Sequence, residues 1–372
     1  MPDKLVIIGA NDFQNQLVLK AKSMGLETHC FAWEEDAVAK QTADYFYPVS
    51  ITEKEKIAEI CRKLHPIGIC TIASDLAVLT SDYVAEQLGL SGNPYQTTVT
   101  ATNKYLMRSA FAAAGVRVPK FLKVSEPPTE EALAGFSYPL IVKPTDRSGS
   151  RCITKIFSYP EIAAAVNAAV AVSFEHCAII EEYITGEEYS CECISYRGEH
   201  HFLAFTKKYT TGAPHYIETG HRQPSDIPEQ LQEKIREEVF RALTALHIQN
   251  GASHTEFMLD ADGSFRIIET GPRMGGDCIG SDLVYLSTGH DFMKMVIDVA
   301  CGKAPLLCET PTKRPVEIRF VFDRKDNKIL KELQRTAPDC LYRLSQIDES
   351  KFGQVSDSGS RAGYYIVVKK EN

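Results

Sequence analysis

Two glutamates carry the first chemical signal. Glu256 sits in Thr255-Glu256-Phe257-Met258-Leu259 and Glu269 in Ile267-Ile268-Glu269. Between them lies Asp260-Ala261-Asp262-Gly263, a turn flanked by apolar runs, which signals a hairpin. The hairpin brings the two carboxylates to the same end. Carboxylates that close repel each other unless a cation lies between them. Hard oxygen ligands suit Mg²⁺, which keeps waters and takes phosphates as further ligands. On their own the two residues read first as a solvated charge pair on a surface hairpin. Their neighbours change that.

Directly after Glu269 comes Thr270-Gly271-Pro272-Arg273-Met274-Gly275-Gly276-Asp277. Arg273 is placed to reach the same anion as the metal, and its forked donors suit a phosphate or carboxylate. The glycines allow close backbone approach, and the helix that follows offers an N-terminus. Upstream, Tyr138-Pro139-Leu140-Ile141-Val142-Lys143-Pro144 ends an apolar strand in a lysine. Such a lysine needs a partner. The loop Thr145-Asp146-Arg147-Ser148-Gly149-Ser150-Arg151 follows, small and flexible enough to close on phosphates through backbone N–H groups. No Walker A sequence is present. In Ile179-Ile180-Glu181-Glu182-Tyr183-Ile184-Thr185-Gly186-Glu187-Glu188 an apolar strand runs into an acidic hinge. A hinge of this kind offers backbone groups to an adenine edge and a carboxylate to ribose.

The elements that must position these residues follow from periodicity. Up to about residue 95 strand and helix alternate: strands at 5–8, 28–31 and 67–72, helices at 13–24, 57–64 and 75–88. That pattern predicts a small parallel, doubly wound sheet. Gly9-Ala10-Asn11-Asp12-Phe13 supplies only the first glycine of a dinucleotide fingerprint, so a structural or substrate-touching turn is the better reading. A helix at 102–114 follows. Strands are expected at 140–143, 179–182, 189–195 and 202–207, with a helix at 160–172. A long helix at 229–246 precedes the hairpin strands 255–259 and 265–269. Helices at 279–286 and 292–300 lead to a short β-rich tail over 313–372.

The chain has 372 residues and a formal net charge of -8, so a global basic field for nucleic acid is absent. Its apolar runs are too short for a membrane span or signal peptide. Eleven scattered cysteines without a CxxC pair predict reduced, mostly buried thiols and a cytoplasmic setting.

The order of these pieces resembles the ATP-grasp superfamily, in particular its carboxylate–amine ligase branch near the carbamoyl-phosphate-synthetase-like and L-amino-acid-ligase proteins. The resemblance runs from the N-terminal α/β region through the Lys104 helix, the Lys143 strand and loop, and the Glu-Glu-Tyr-Ile hinge to the two glutamates. Asp357-Ser358-Gly359-Ser360-Arg361-Ala362-Gly363-Tyr364 resembles the closing segment of biotin-carboxylase-like members. It implies an α/β and α+β architecture: a doubly wound parallel-sheet domain over 1–100, a helix segment and small lid over 101–188, and a C-terminal mixed-sheet subdomain with a β-rich tail over 189–372.

By position, the resemblance places Lys104 and Lys143 at ATP phosphates or the adenine pocket, with Ser148 and Gly149 in the closing loop. Glu181, Glu182 and Ile184 would hold adenine, and Glu188 ribose. Glu256 and Glu269 would bind Mg²⁺, with Mn²⁺ as an alternative. Arg273 would steady the transferred phosphoryl group. The implied activity joins a small carboxylate to an amine through an acyl phosphate, with no nucleic-acid or membrane partner and a homodimer as the common assembly. Two alternatives stand beside it: a bicarbonate-using carboxylase, and an ATP-binding protein without catalysis. Gly271 motivates the second, because the family commonly has a metal-assisting asparagine there; either a second metal is more weakly held, or a water, Thr270 or Asp277 compensates. Lys207, Lys208, His215, Glu218 and His221 form a polar cluster that either lines an amino-acid pocket or is a solvated loop. His254, two residues before Glu256, either orients that glutamate or is a satisfied core residue.

Overall fold

The computed structural model describes residues 2–149, 151–212 and 216–369; Ser150 and His215 lie outside them. The first sheet is parallel, in the order β3-β2-β1-β4, built from β1 (Lys4–Ile8), β2 (Glu27–Ala32), β3 (Tyr45–Pro48) and β4 (Gly68–Cys70). Helices α1 (Asp12–Ser23), α2 (Lys54–Leu64) and α3 (Asp75–Leu88) connect and cover it. Leu5, Ile7 and Ile8 are wholly buried, as the apolar run requires for a strand covered on both faces. Gly9 turns at φ +98° and donates its N–H to Phe31 O, while Asn11 and Gln14 form a capping box that starts α1. The Gly9 turn is therefore structural.

Two helices, α4 (Tyr95–Thr102) and α5 (Lys104–Ala113), lead to a second, antiparallel sheet. Its order is β5-β8-β6-β7, from β5 (Phe121–Val124), β6 (Leu140–Pro144), β7 (Thr154–Ile156) and β8 (Ala178–Glu182), with α6 (Ile162–Val172) packed against it. The sequence pattern misses α4, which has no side-chain cap, and the three-residue β7.

The third sheet has eight strands, in the order β13-β12-β9-β10-β11-β14-β16-β15. They are β9 (Glu187–Tyr196), β10 (Glu199–Thr210), β11 (Glu218–Gln223), β12 (Gly251–Leu259), β13 (Phe265–Gly271), β14 (Val316–Val321), β15 (Leu341–Leu344) and β16 (Gly363–Val368). Its helices are α7 (Glu229–Ala245), α8 (Val284–Thr288), α9 (Phe292–Ala300) and α10 (Arg324–Thr336). Every strand pair in it is antiparallel, where the sequence resemblance implies a mixed sheet. Parallel neighbours need a long crossover, and here β9–β10 and β12–β13 are tight hairpins. The expected β-rich tail carries β14, β15 and β16. It also contains the 13-residue α10, and its strands extend the main sheet.

One apolar core joins the first sheet to the third. Phe292, Met295 and Ile297 of α9 pack in a cluster with Leu5, Ile7 and Phe31, and with Ile194 and Ala252 of the large sheet. Gly68 makes this contact possible: a Cβ there would stand 2.7 Å from Ala300 O. On the opposite side α5 and α7 share a core with Phe257 and Ile267. Burial of this extent dominates the favourable side of folding. It also fixes the two sheets and α5 around one cleft.

Candidate active site

The cleft has a volume of about 510 Å³. Lys104, Lys143, Ser148, Gly149, Glu181, Glu182, Ile184, Glu188, Glu256, Glu269 and Arg273 all line it. The four-stranded sheet forms one wall, the eight-stranded sheet the other, and the start of α3 closes one end.

Glu256 of β12 stands directly opposite Glu269 of β13. Opposed residues of antiparallel strands point to the same face, with Cβ atoms roughly 5 Å apart. A bulge follows Glu256 and marks where the pairing shifts. Each carboxylate meets a lysine. Lys208 of β10 lies between Glu188, at 2.6 Å, and Glu256. Lys104, the first residue of α5, reaches Glu269 at 3.2 Å and donates to Arg147 O at 2.8 Å. Burial opposes the charge on Lys208, but Glu188 and Glu256 outweigh it and hold its pKa well above the usual value. Burial likewise opposes the Glu256 anion; Lys208 and His254 prevail and keep its carboxyl well below the carboxylate range.

His254 orients Glu256. Its Nδ1 lies 2.8 Å from the buried Glu192 and its Nε2 3.2 Å from Glu256. Burial lowers the basicity of the ring, yet the two carboxylates raise its pKa to about 9. His254 is thus a cation at neutral pH, bridging two anions. Gly275 closes over it: a Cβ there would stand 2.8 Å from His254 Nδ1.

On the lid side, Lys143 pairs with Glu181 at 2.6 Å. Arg108 of α5 bonds the other Glu181 oxygen through Nε at 2.5 Å. Burial would raise the Glu181 pKa, but Arg108 and Lys143 hold it down to about 2. The Glu181 carboxylate is therefore shared between two cations. Glu182 accepts from Ser137 N, and its own N–H donates to Lys120 O. The Ile184 N–H meets no hydrogen-bond partner among the described residues. Glu188, expected at ribose, lines the cleft but is held by Lys208.

Arg273 is anchored from outside the hairpin. Its Nε donates to Asp75 Oδ1 at 2.8 Å, so an acid at the start of α3 anchors it. Its guanidinium folds over Gly271, where a Cβ would come within 3.0 Å of Cζ. Asparagine would not fit there without moving the arginine. Asp277 is not free to compensate: Arg361 bonds it with both terminal nitrogens, at 2.9 and 2.5 Å, and His221 Nε2 lies 3.3 Å away. Burial would raise its pKa, but His221 and Arg361 keep it far below the ordinary range. Arg361 also stacks over Phe320, which ties the chain's last segment to the cleft.

Lys208, Glu218 and His221 line the cleft, so the polar cluster is no solvated loop there; Glu218 and His221 lie on β11. Lys207 points elsewhere, to Glu187 and Asp226.

Residues 136–282 match the family model for an ATP-grasp domain. That region carries an ATP-grasp domain. Among curated proteins, this chain is 29% identical over 296 residues to alanine–anticapsin ligase of Bacillus subtilis strain 168, covering 70% of the chain. That match spans 62% of the relative's own length. It is 26% identical over 225 residues to D-alanine–D-alanine ligase of Geobacter sulfurreducens, covering 56% of the chain and 69% of that protein. Among solved structures, L-amino acid ligase from Bacillus licheniformis superposes with a TM-score of 0.81 at 24% identity, over 99% of this chain and 94% of that one. Phosphoribosylglycinamide synthetase from Anaerococcus prevotii gives 0.80 at 21%, over 100% and 95%. These likenesses establish an ATP-grasp fold along the whole chain. Sequence reading missed Arg108, Asp75, Glu192 and the anchoring role of Arg361. For Arg108 and Glu192 the only signal was a charge beside apolar residues, and for Asp75 and Arg361 nothing local marked the role.

Proposed function

We propose that the chain is an ATP-dependent ligase that activates a small carboxylate as an acyl phosphate and joins it to an amine. The observation that carries this reading is the opposed Glu256–Glu269 pair, flanked by Lys104 and Lys208, in one cleft with Lys143 and Arg273. Each of the two carboxylates already takes an ammonium in this structure, and together they present hard oxygen donors, so the donor set fits Mg²⁺. Glu256 and Glu269 would hold the ion, which when bound supplies charge neutralisation at the phosphates.

The protein's own groups do the rest. Lys104 and Lys143 offset triphosphate charge, and Arg147, Ser148 and Gly149, which line the cleft, would help to exclude water. A substrate carboxylate oxygen attacks the γ-phosphorus. The new C–O–P linkage forms as the bond to the bridging oxygen breaks, and ADP leaves. The amine nitrogen then attacks the acyl carbon, loses a proton, and inorganic phosphate departs. The account rests mainly on positioning and charge. Glu218 supplies a carboxylate beside Ser358, which suits the ammonium of an amino acid at that end. The similarity to alanine–anticapsin ligase, D-alanine–D-alanine ligase and L-amino acid ligase supports amino-acid substrates. Because Gly271 gives room to Arg273, its lack of a side chain no longer argues for a non-catalytic protein.

No helix among the described residues is long and apolar enough to cross a membrane. The free thiols support a reducing, cytoplasmic setting.

The test is phosphate release from Mg-ATP with pooled amino acids and small acids, with mass detection of the amide. Release that needs both an acid and an amine supports the reading. Release driven by bicarbonate alone, or ATP binding without release across the whole panel, overturns it.

A further inference from the structure

Arg108 is wholly buried, and it does not line the cleft. A buried guanidinium is costly unless it is well paired. Yet its Nη1 and Nη2 meet no hydrogen-bond partner among the described residues. Only Nε is used, on Glu181 Oε1. An arginine facing a carboxylate ordinarily takes both oxygens in a fork. Here the second oxygen is taken: Glu181 Oε2 holds the Lys143 ammonium at 2.6 Å. One carboxylate is thus divided between two cations.

The elements explain the division. Arg108 lies four residues after Lys104 on α5, so both cations share one helix face. Glu181 of β8 is opposite Ile141 of β6, which puts it diagonal to Lys143 on the same side of the sheet. Lys143 also feels Lys104 and Glu269, and Lys104 touches Glu269. The three cations therefore gather at the end of the cleft where the Glu256–Glu269 pair stands. With Oε1 fixed by Arg108, Glu181 cannot close both oxygens around Lys143 and draw the ammonium back into the wall.

We propose that Arg108 is a positioning residue: acting through Glu181, it fixes the Lys143 ammonium at the phosphate-binding end of the cleft. The proposal rests on the ATP-binding reading above. It differs in assigning the work to a residue that never meets nucleotide.

Calorimetric titration of the full chain with Mg-ADP, and separately with adenosine, tests it. Adenosine carries the base and ribose without phosphate. Loss of one charged, buried hydrogen bond should weaken binding about tenfold or more. Arg108→Met should therefore lose at least that factor for Mg-ADP and keep adenosine affinity, and Arg108→Lys should recover part of the loss. The double variant R108M/K143M should bind Mg-ADP no more weakly than K143M alone. Unchanged Mg-ADP affinity, an equal loss for both probes, or additive losses in the double variant would each overturn the proposal. If wild type binds no Mg-ADP, the ATP-binding reading itself fails, and Arg108's role with it. Should R108M not fold, Glu181→Gln and Arg108→Lys carry the same comparison, with a loss confined to Mg-ADP expected and an equal loss for both probes contradicting it.

Discussion

The guanidinium of Arg273 lies over the Cα of Gly271, close enough that a Cβ at residue 271 would stand 3.0 Å from its Cζ. Asp75 holds it there from the first turn of α3. Gly271→Ala should cost about 1 kcal/mol of stability, as modest overpacking does, and lower turnover by displacing the arginine. In an Asp75→Asn background the arginine is freer to swing aside, and the added cost should shrink. A double-mutant cycle in unfolding free energy measures this; strictly additive losses would contradict the contact.

Lys208 separates Glu188 from Glu256. Lys208→Met takes the ammonium from Glu188 and leaves Glu256 with His254 alone, a loss of about 3–5 kcal/mol when a buried pair is broken. The Glu256 pKa, now held well below the usual range, must then rise. Activity that needs the Glu256 anion should therefore be lost at a higher pH on acidification. The pH–rate profile reads this directly, and an unmoved acid limb would exclude the assignment.

Gly275 covers His254. A methyl group there meets Nδ1 at 2.8 Å and Glu192 Oε2 at 3.3 Å. Gly275→Ala should destabilise by about 1–3 kcal/mol and turn the ring away from Glu192. The His254 ring nitrogen resonances report the turn; wild-type shifts would show that the relay tolerates the methyl.

Asp82 is buried against Thr98 and the Asn93 N–H, away from the cleft. Burial pushes its pKa up to about 7. The fold thus favours the protonated form. Its contribution is complete below the unfolded value near 4 and is lost as the pH rises through about 7. Wild type should lose up to about 4 kcal/mol over that interval. Asp82→Asn should flatten the dependence. Denaturant midpoints at pH 5 and pH 8 decide it; equal slopes in the two proteins would refute the buried ionisation.

The hairpin at 255–271 was legible because its signals are local: two apolar runs, an Asp-Gly turn and two glutamates in register. Lys143 was legible for the same reason, as a charge ending an apolar strand. The partners that hold these groups were not. Asp75 and Arg273 are 198 residues apart, and Lys104 and Glu269 are 165 apart. Periodicity carries no record of such pairings. Strand β11 looked like a solvated loop because Glu218 and His221 face a charged cleft instead of an apolar core. The tail's strands gave no hint of which sheet they extend, since register depends on the partner's pattern.

The most direct test of the metal-binding, acid-activating reading is turnover by Glu269→Gln. Glutamine keeps the shape and can still accept from Lys104, so the fold should survive with a near-normal melting temperature. Phosphate release from Mg-ATP with an accepted acid and amine should fall to background. Unchanged Mg²⁺-dependent release in that folded variant would contradict the role given to the Glu256–Glu269 pair.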